Sequence, residues 1–188
     1  MTHFRRLQIP EVIEVVPPKF GDHRGFFSEV FKRSAFEAEG IAIDWVQDNQ
    51  SFSAEVGTVR GLHFQAPPFA QAKLIRVLRG AIYDVAVDIR KGSPTYGHWV
   101  AAELSSEKWN QLLIPTGFAH GFMTLTPDVE VIYKVSAPYS RESEGAIRWN
   151  DPDLAIAWPR AGEAILSDKD AAASLLADFV SPFVYEAA

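Results

Sequence analysis

The chain has 188 residues, a length that fits one domain better than two, and its 47% hydrophobic and 22% charged residues give the profile of a globular protein, not of a disordered one. It contains no cysteine, which excludes disulfides, thiolate nucleophiles and Cys-ligated zinc. A net charge of -6 speaks against a nucleic-acid partner, because binding a phosphate backbone needs a broad basic surface, although a local basic cluster can still hold a small anion.

The N-terminus, "MTHFRRLQIPEVIEVV", lacks the apolar core of a signal peptide, and no run nears the roughly 18 apolar residues of a spanning helix. A cytoplasmic protein with no membrane partner is expected. Along the chain, "FFSEVF" reads as a strand after the turn "GDHRG", and "SAFEAEG" as a short helix with a Ser34 to Glu37 capping box closed by Gly40. "KLIRVLRG" then leads through Gly80 into "AIYDVAVDIR". In that strand Tyr83, Val85, Val87 and Ile89 share one face while Asp84, Asp88 and Arg90 share the other, as in an antiparallel sheet with unlike faces. "GHWVAAEL" and "VEVIYKVS" follow. In the latter Tyr133 shares a face with Val129, Val131 and Val135, which aims its phenol into the apolar interior. Near the end, Ser167 and Asp170 have capping-box spacing at the start of "SDKDAAASLLADF". Strands recur without a long helical pattern, linker or repeat, which predicts an all-β, jelly-roll β-barrel with short peripheral helices, as a single domain over 1–188.

The segment Val59 to Gly80 gathers Arg60, His63, Lys73, Arg76 and Arg79 in an otherwise acidic chain. Taken singly, these side chains have plain structural accounts: a packed histidine, a core Tyr133, a cap at Asp170, and solvated Lys169, Arg76 and Arg79. Two patterns resemble the cupin superfamily. Gly57 is followed after five residues by His63, and Gly80 closes that first signature; "PTGFAHGFMT" supplies Pro115, Gly117 and His120 of the second. Metal-binding cupins hold a divalent ion with three histidines and a glutamate, but the four positions here are His63, Gln65, Lys73 and His120. An ammonium has no lone pair to offer and repels a cation, so no metal is expected. Lys73 can instead bring an organic cation to a substrate oxygen.

Seven strings in order, "DHRGFFSE", "QDNQS", "VRGLHFQ", "VLRGAIYDVAVDIRKGSPTYGHW", "IPTGFAHGF", "IYKV" and "WNDPDLAI", resemble the dTDP-4-dehydrorhamnose 3,5-epimerase family over nearly the whole chain. The resemblance implies a cupin-fold isomerase of dTDP-rhamnose biosynthesis that needs no cofactor, takes a dTDP-4-keto-6-deoxy sugar and forms a homodimer. Carried over by position, it makes His63 the general base, Asp170 its supporting carboxylate, Tyr133 the acid on the opposite side of the sugar and Lys73 the partner of the enolate oxygen. It gives the nucleotide sugar to Arg24, Glu29, Gln47, Asp48, Asn49, Arg60, Lys73, His120, Glu144 and Lys169, and thymine stacking to Tyr139. Pro138 stands ahead of Tyr139 where the family often has a second aromatic residue, which stiffens the loop.

The chemistry suits such residues. In a 4-keto sugar the hydrogens at C3 and C5 are both α to one carbonyl, so one site can serve both centres, and inversion needs a base and an acid on opposite faces. The rival readings are an epimerase acting only at C3 or only at C5, a metal-dependent cupin oxygenase, and a sugar-binding barrel without catalysis.

Overall fold

The computed structural model describes residues 1–160, 162 and 164–186. Six strands pair antiparallel in the spatial order β1 (His3–Arg6), β2 (Ile13–Val16), β10 (Gln111–Ile114), β7 (Lys73–Arg79), β12 (Val129–Val135) and β5 (Gln47–Ser53). Five more pair in the order β13 (Glu144–Ala146), β6 (Val59–Gln65), β11 (Phe118–Thr124), β8 (Ala81–Asp88) and β9 (Trp99–Ser105). A separate hairpin joins β3 (Phe20–Asp22) to β4 (Gly25–Phe27). Two short helices, α1 (Arg33–Glu37) and α2 (Asp168–Ala171), complete the regular structure used below.

Period-2 alternation decides what each sheet buries. Ile75 and Val77 of β7, Val129 and Val131 of β12, Ile82 and Ala86 of β8, and Phe118 and Phe122 of β11 meet between the sheets in one apolar cluster. The alternate residues Val85, Val87, Ala119 and Met123 face outward, where Ile147, Trp149, Leu154, Trp158 and Phe183 of the C-terminal segments cover them. On the outer face of the six-stranded sheet, Phe36 of α1 packs on Ile13, Val15, Leu74 and Leu113. Both sheets are therefore covered on their outer faces over much of their area.

That double covering alters the expectation for "AIYDVAVDIR". Its faces are unlike, yet the acidic one is buried: Asp84 and Asp88 are each 0% exposed. Asp88 accepts hydrogen bonds from Arg90, Ser93 and Thr95, which ties off the strand end. Asp84 points between the sheets, beside the position of the site described below.

Three further expectations change. The helix at 33–37 starts one residue before Ser34, with Lys32 as its cap and no side-chain cap bond, so the Ser34–Glu37 capping box does not form. Packing of Phe36 under the sheet sets this helix, and tertiary packing commonly overrides a local cap. Ser167 does cap α2, accepting from Asp170 N–H, but the helix stops at Ala171 and does not run on through "ASLLADF". Ser174 there bridges to Ile147, and Asp151 accepts from Leu176 N–H, so the chain is drawn along the barrel instead. Arg76 is half-buried and not fully solvated, and burial lowers its pKa; Arg79 is exposed and pairs with Asp128.

One crossing positions the site. β6 and β11 come so close at Gly61 that a Cβ there would lie 2.5 Å from Gly121 Cα, and Gly61 has φ +130°, a conformation open to glycine. The register across this contact sets His63 directly opposite His120.

Candidate active site

A cleft of about 430 Å³ is lined by inward-facing residues of both sheets and by the segment leading into α2. Strand parity explains its lining. On β6, Leu62 and Phe64 turn outward into the covered face, which sends His63 and Gln65 inward. On β7, Lys73 shares the inward parity of Ile75 and Val77, and on β12 Tyr133 shares that of Val129 and Val131. His63 and Tyr133 thus face one cleft from opposite sheets, 70 residues apart in sequence.

His63 Nε2 donates to Asp170 Oδ1 at 2.5 Å. Asp170 is 4% exposed; burial pushes its carboxyl up, but hydrogen bonds from His63 and Ser167 outweigh this and hold it below the usual carboxylate range. A carboxylate fixed in this way selects the Nε2–H tautomer and leaves the other ring nitrogen with its lone pair. α2 thereby has two jobs, since its own cap places the partner of a histidine 107 residues away.

Lys73 is 8% exposed, and burial lowers its ammonium from the usual 10.5 to about 8, against the charges of Asp84 and Glu144. Among the described residues its one hydrogen bond is a long one, 3.4 Å, to His63 O, which leaves donors for a ligand. His120 is buried beside it and donates through Nε2 to Asp84 Oδ1 at 2.6 Å. Burial lowers the pKa of His120, and the neighbouring Lys73 and His63 act in the same direction. Burial raises the Tyr133 phenol above its usual 10, which keeps it protonated, and no described residue hydrogen-bonds its hydroxyl.

A second space of about 170 Å³ adjoins the first, sharing His63, Lys73 and Tyr133, and adds Asn49, Gln65, Tyr139 and Glu144. Gln47 donates to Asn49 Oδ1 and accepts from Tyr139 N–H. Glu144 accepts from Tyr139 Oη and pairs with Lys169. Although burial raises Glu144, those contacts bring it below the usual range. Tyr139 is 58% exposed, an aromatic face open to a partner. Arg60 donates to Ser53 Oγ and Phe52 O at the cleft wall.

The structure thus brings together His63, Asp170, Tyr133, Lys73, His120, Arg60 and Lys169 in the main cleft, and Gln47, Asn49, Tyr139 and Glu144 beside it. Three expected residues are elsewhere. Asp48 has the opposite parity on β5 to Gln47 and Asn49, and pairs with Lys134 on the outer face. Arg24 sits at the exposed β3–β4 turn with Asp22, and Glu29 pairs with Lys32. Sequence reading missed Asp84, as well as Gln65 as a tie between loops: Gln65 donates to Phe69 O and Pro138 O and accepts from Ser140 N–H, which fixes the loop bearing Tyr139. In the sequence Gln65 marks only a substituted metal position; its strand parity with His63 in "VRGLHFQ" is the signal that could have found it.

Among the described residues, no group of three or more His, Cys, Asp or Glu is placed to hold a metal ion, and no helix is long and apolar enough to cross a membrane. The residues do not suit a cation, because Lys73 occupies the place of a carboxylate ligand. A base backed by a carboxylate, a protonated phenol on the opposite sheet and a buried ammonium in the same cleft suit proton transfer at carbon with charge collecting on oxygen.

The dTDP-4-dehydrorhamnose 3,5-epimerase family model matches residues 6–178. The dTDP-4-dehydrorhamnose 3,5-epimerase of Sinorhizobium fredii is 53% identical over 183 residues, covering 97% of this chain and 94% of the relative. The crystal structure of the Legionella pneumophila dTDP-6-deoxy-D-glucose-3,5-epimerase, in complex with dTDP-4-keto-L-rhamnose, superposes with a TM-score of 0.95 at 44% identity and covers 100% of both chains. The Bacillus anthracis dTDP-4-dehydrorhamnose 3,5-epimerase, with TDP and PPi bound, gives 0.91 at 48% identity, covering 94% of this chain and 100% of that one. The fold is accordingly the cupin-like jelly roll expected from the two signatures. With the family model matching residues 6–178 and these relatives alike over nearly its full length, the chain belongs to the dTDP-4-dehydrorhamnose 3,5-epimerase family.

Proposed function

We propose that the protein inverts C3 and C5 of dTDP-4-dehydro-6-deoxy-D-glucose to give dTDP-4-dehydro-L-rhamnose, with His63 and Tyr133 as the opposed proton carriers. The observation that carries the reading is their placement on opposite sheets of one cleft that Lys73 also lines. The free ring nitrogen of His63 takes the proton from C3 or C5; the C–H electron pair becomes the C=C bond of an enolate, and the carbonyl oxygen takes the charge. Lys73 meets that charge as an ammonium. Tyr133 then returns a proton to the opposite face, and its phenolate and the His63 imidazolium reset by exchange with water before the second inversion. Asp170 supports the imidazolium in the meantime.

Arg60 and Lys169 supply charge for the diphosphate, and the exposed Tyr139 ring offers a stacking face for thymine, with Gln47, Asn49 and Glu144 around it. We also propose a homodimer. Arg24 and Glu29, two expected sugar-nucleotide residues, lie off the cleft near a hairpin with Phe20, Phe26 and Phe27 exposed, which fits a contribution across an interface between copies. Sedimentation should give twice the chain mass; a monomer at working concentration would count against it.

Incubation with dTDP-4-keto-6-deoxy-D-glucose in deuterated water, followed at C3 and C5 by NMR, tests the reaction. Deuterium at both centres is expected; deuterium at one means a single-centre epimerase, and none sinks the epimerase reading. For Tyr133→Phe the expected outcome is a fall of about 10²-fold or more in net inversion, with a smaller fall in wash-out of substrate deuterium. Equal losses in both would remove Tyr133 from the role of opposing acid.

A further inference from the structure

His120, a cleft residue, is bonded to a buried acid to which neither the sequence patterns nor the family roles give a part in the site. Asp84 of β8 is wholly buried, its Oδ1 accepts from His120 Nε2, and its Oδ2 is the one buried side-chain polar atom without a hydrogen-bond partner among the described residues. An unpaired carboxylate oxygen inside a barrel is unfavourable unless a cation faces it. Lys73, 8% exposed, lines the same cleft as His120 and among the described residues makes one long hydrogen bond; Asp84 is first among the charges that favour its ammonium.

We propose that Asp84 is a positioning residue: its buried carboxylate fixes the His120 ring through Nε2 and supplies the counter-charge that keeps Lys73 an ammonium facing the substrate. The proposal rests on the epimerase reading for its consequence in catalysis, because a neutral Lys73 would no longer stabilise an enolate oxygen. The ionisable groups around Lys73 and His120 come from every packed element: Arg60 and His63 of β6, Tyr133 of β12, Glu144 of β13, and Lys169 and Asp170 of α2. Of the acids, Asp170 is engaged by His63, and Glu144 by Lys169 and Tyr139. Of these acids, Asp84 has the buried oxygen that lacks a hydrogen-bond partner among the described residues. With Nε2–H committed to Asp84, the neutral His120 presents Nδ1 to the cleft as an acceptor, suited to a sugar hydroxyl.

Asp84→Asn keeps the shape and removes the charge. Lys73 already loses its proton near pH 8 because of burial; without Asp84 it loses it at lower pH. NMR titration of the Lys73 side chain in the full-length, ligand-free protein is expected to show a midpoint at least about one unit lower in the variant, and the alkaline limb of kcat is expected to move down with it. An unmoved Lys73 midpoint, or a kcat lowered equally at all pH values, would overturn the proposal. If the variant does not fold, the wild type still decides: nitrogen NMR must show His120 as the Nε2–H tautomer, and an Nδ1–H tautomer rejects the assignment. Neither NMR measurement needs a substrate. Absence of hydrogen exchange in the wild type would sink the epimerase reading and leave the Asp84 proposal to be decided on its own.

Discussion

His63→Asn is expected to cut deuterium incorporation at both C3 and C5 by about 10³- to 10⁴-fold, to the limit of detection, while the protein stays folded. Asparagine can still donate to Asp170 but has no nitrogen that accepts a proton at neutral pH. Both centres must fail together, because one base serves both hydrogens of the single 4-keto group. The cleft contains another histidine, yet His120 is buried and tied to Asp84, and burial already disfavours its protonated form. It is a poor substitute. Exchange that persists in this variant at either carbon would assign the base to another residue. Circular dichroism and melting of the variant separate loss of chemistry from loss of fold.

Lys73→Met is expected to combine a large loss of activity with a gain in stability. Removing a single preorganised donor at a developing oxyanion commonly costs about 10²- to 10³-fold in kcat, and the same is expected here with little change in nucleotide affinity. Stability moves the other way because the ammonium is buried: a shift from 10.5 to about 8 corresponds to at most about 3 kcal/mol of destabilisation by the charged form. The sign follows from linkage. The folded pKa of a basic group is depressed, so the penalty is fully present below pH 8 and fades as pH rises from 8 towards 10.5. Methionine has no such penalty, and since the shift to about 8 already includes the pull of Asp84, the net gain stays within that limit. Thermal melting at pH 7 should therefore rise relative to wild type, with the difference shrinking by pH 10. A variant that keeps full kcat would remove Lys73 from the chemistry, and a pH-independent change in melting would argue against burial of its charge.

These two residues show how far local patterns carry an argument. The pattern around Val59 to Gly80 put a histidine and a lysine in one short stretch and argued against a metal, and the alternation in "VEVIYKVS" aimed Tyr133 inward. The cleft has all three together. Local reasoning failed where packing competed with it. Ser34 and Glu37 have capping-box spacing without capping the helix, because Phe36 anchors that turn to the sheet. Asp48 lies between two cleft residues in sequence and faces the other way, since adjacent residues on a strand point to opposite sides.

By itself, the sequence determined the class of fold, through strand periodicity and turn glycines, and the chemistry available, through the absence of cysteine and the replacement of a carboxylate ligand by Lys73. Strand parity also settled which residues share a face, because it is a property of neighbouring residues alone. Only the tertiary structure decided which face meets the interior, for that depends on what covers each sheet. C-terminal segments cover one side of β8, so Asp84 turns inward, and α2 returns along the barrel to set Asp170 against His63. Pairings 36 and 107 residues apart, His120 with Asp84 and His63 with Asp170, leave no mark in local spacing, since they are made by strand order and chain return after folding.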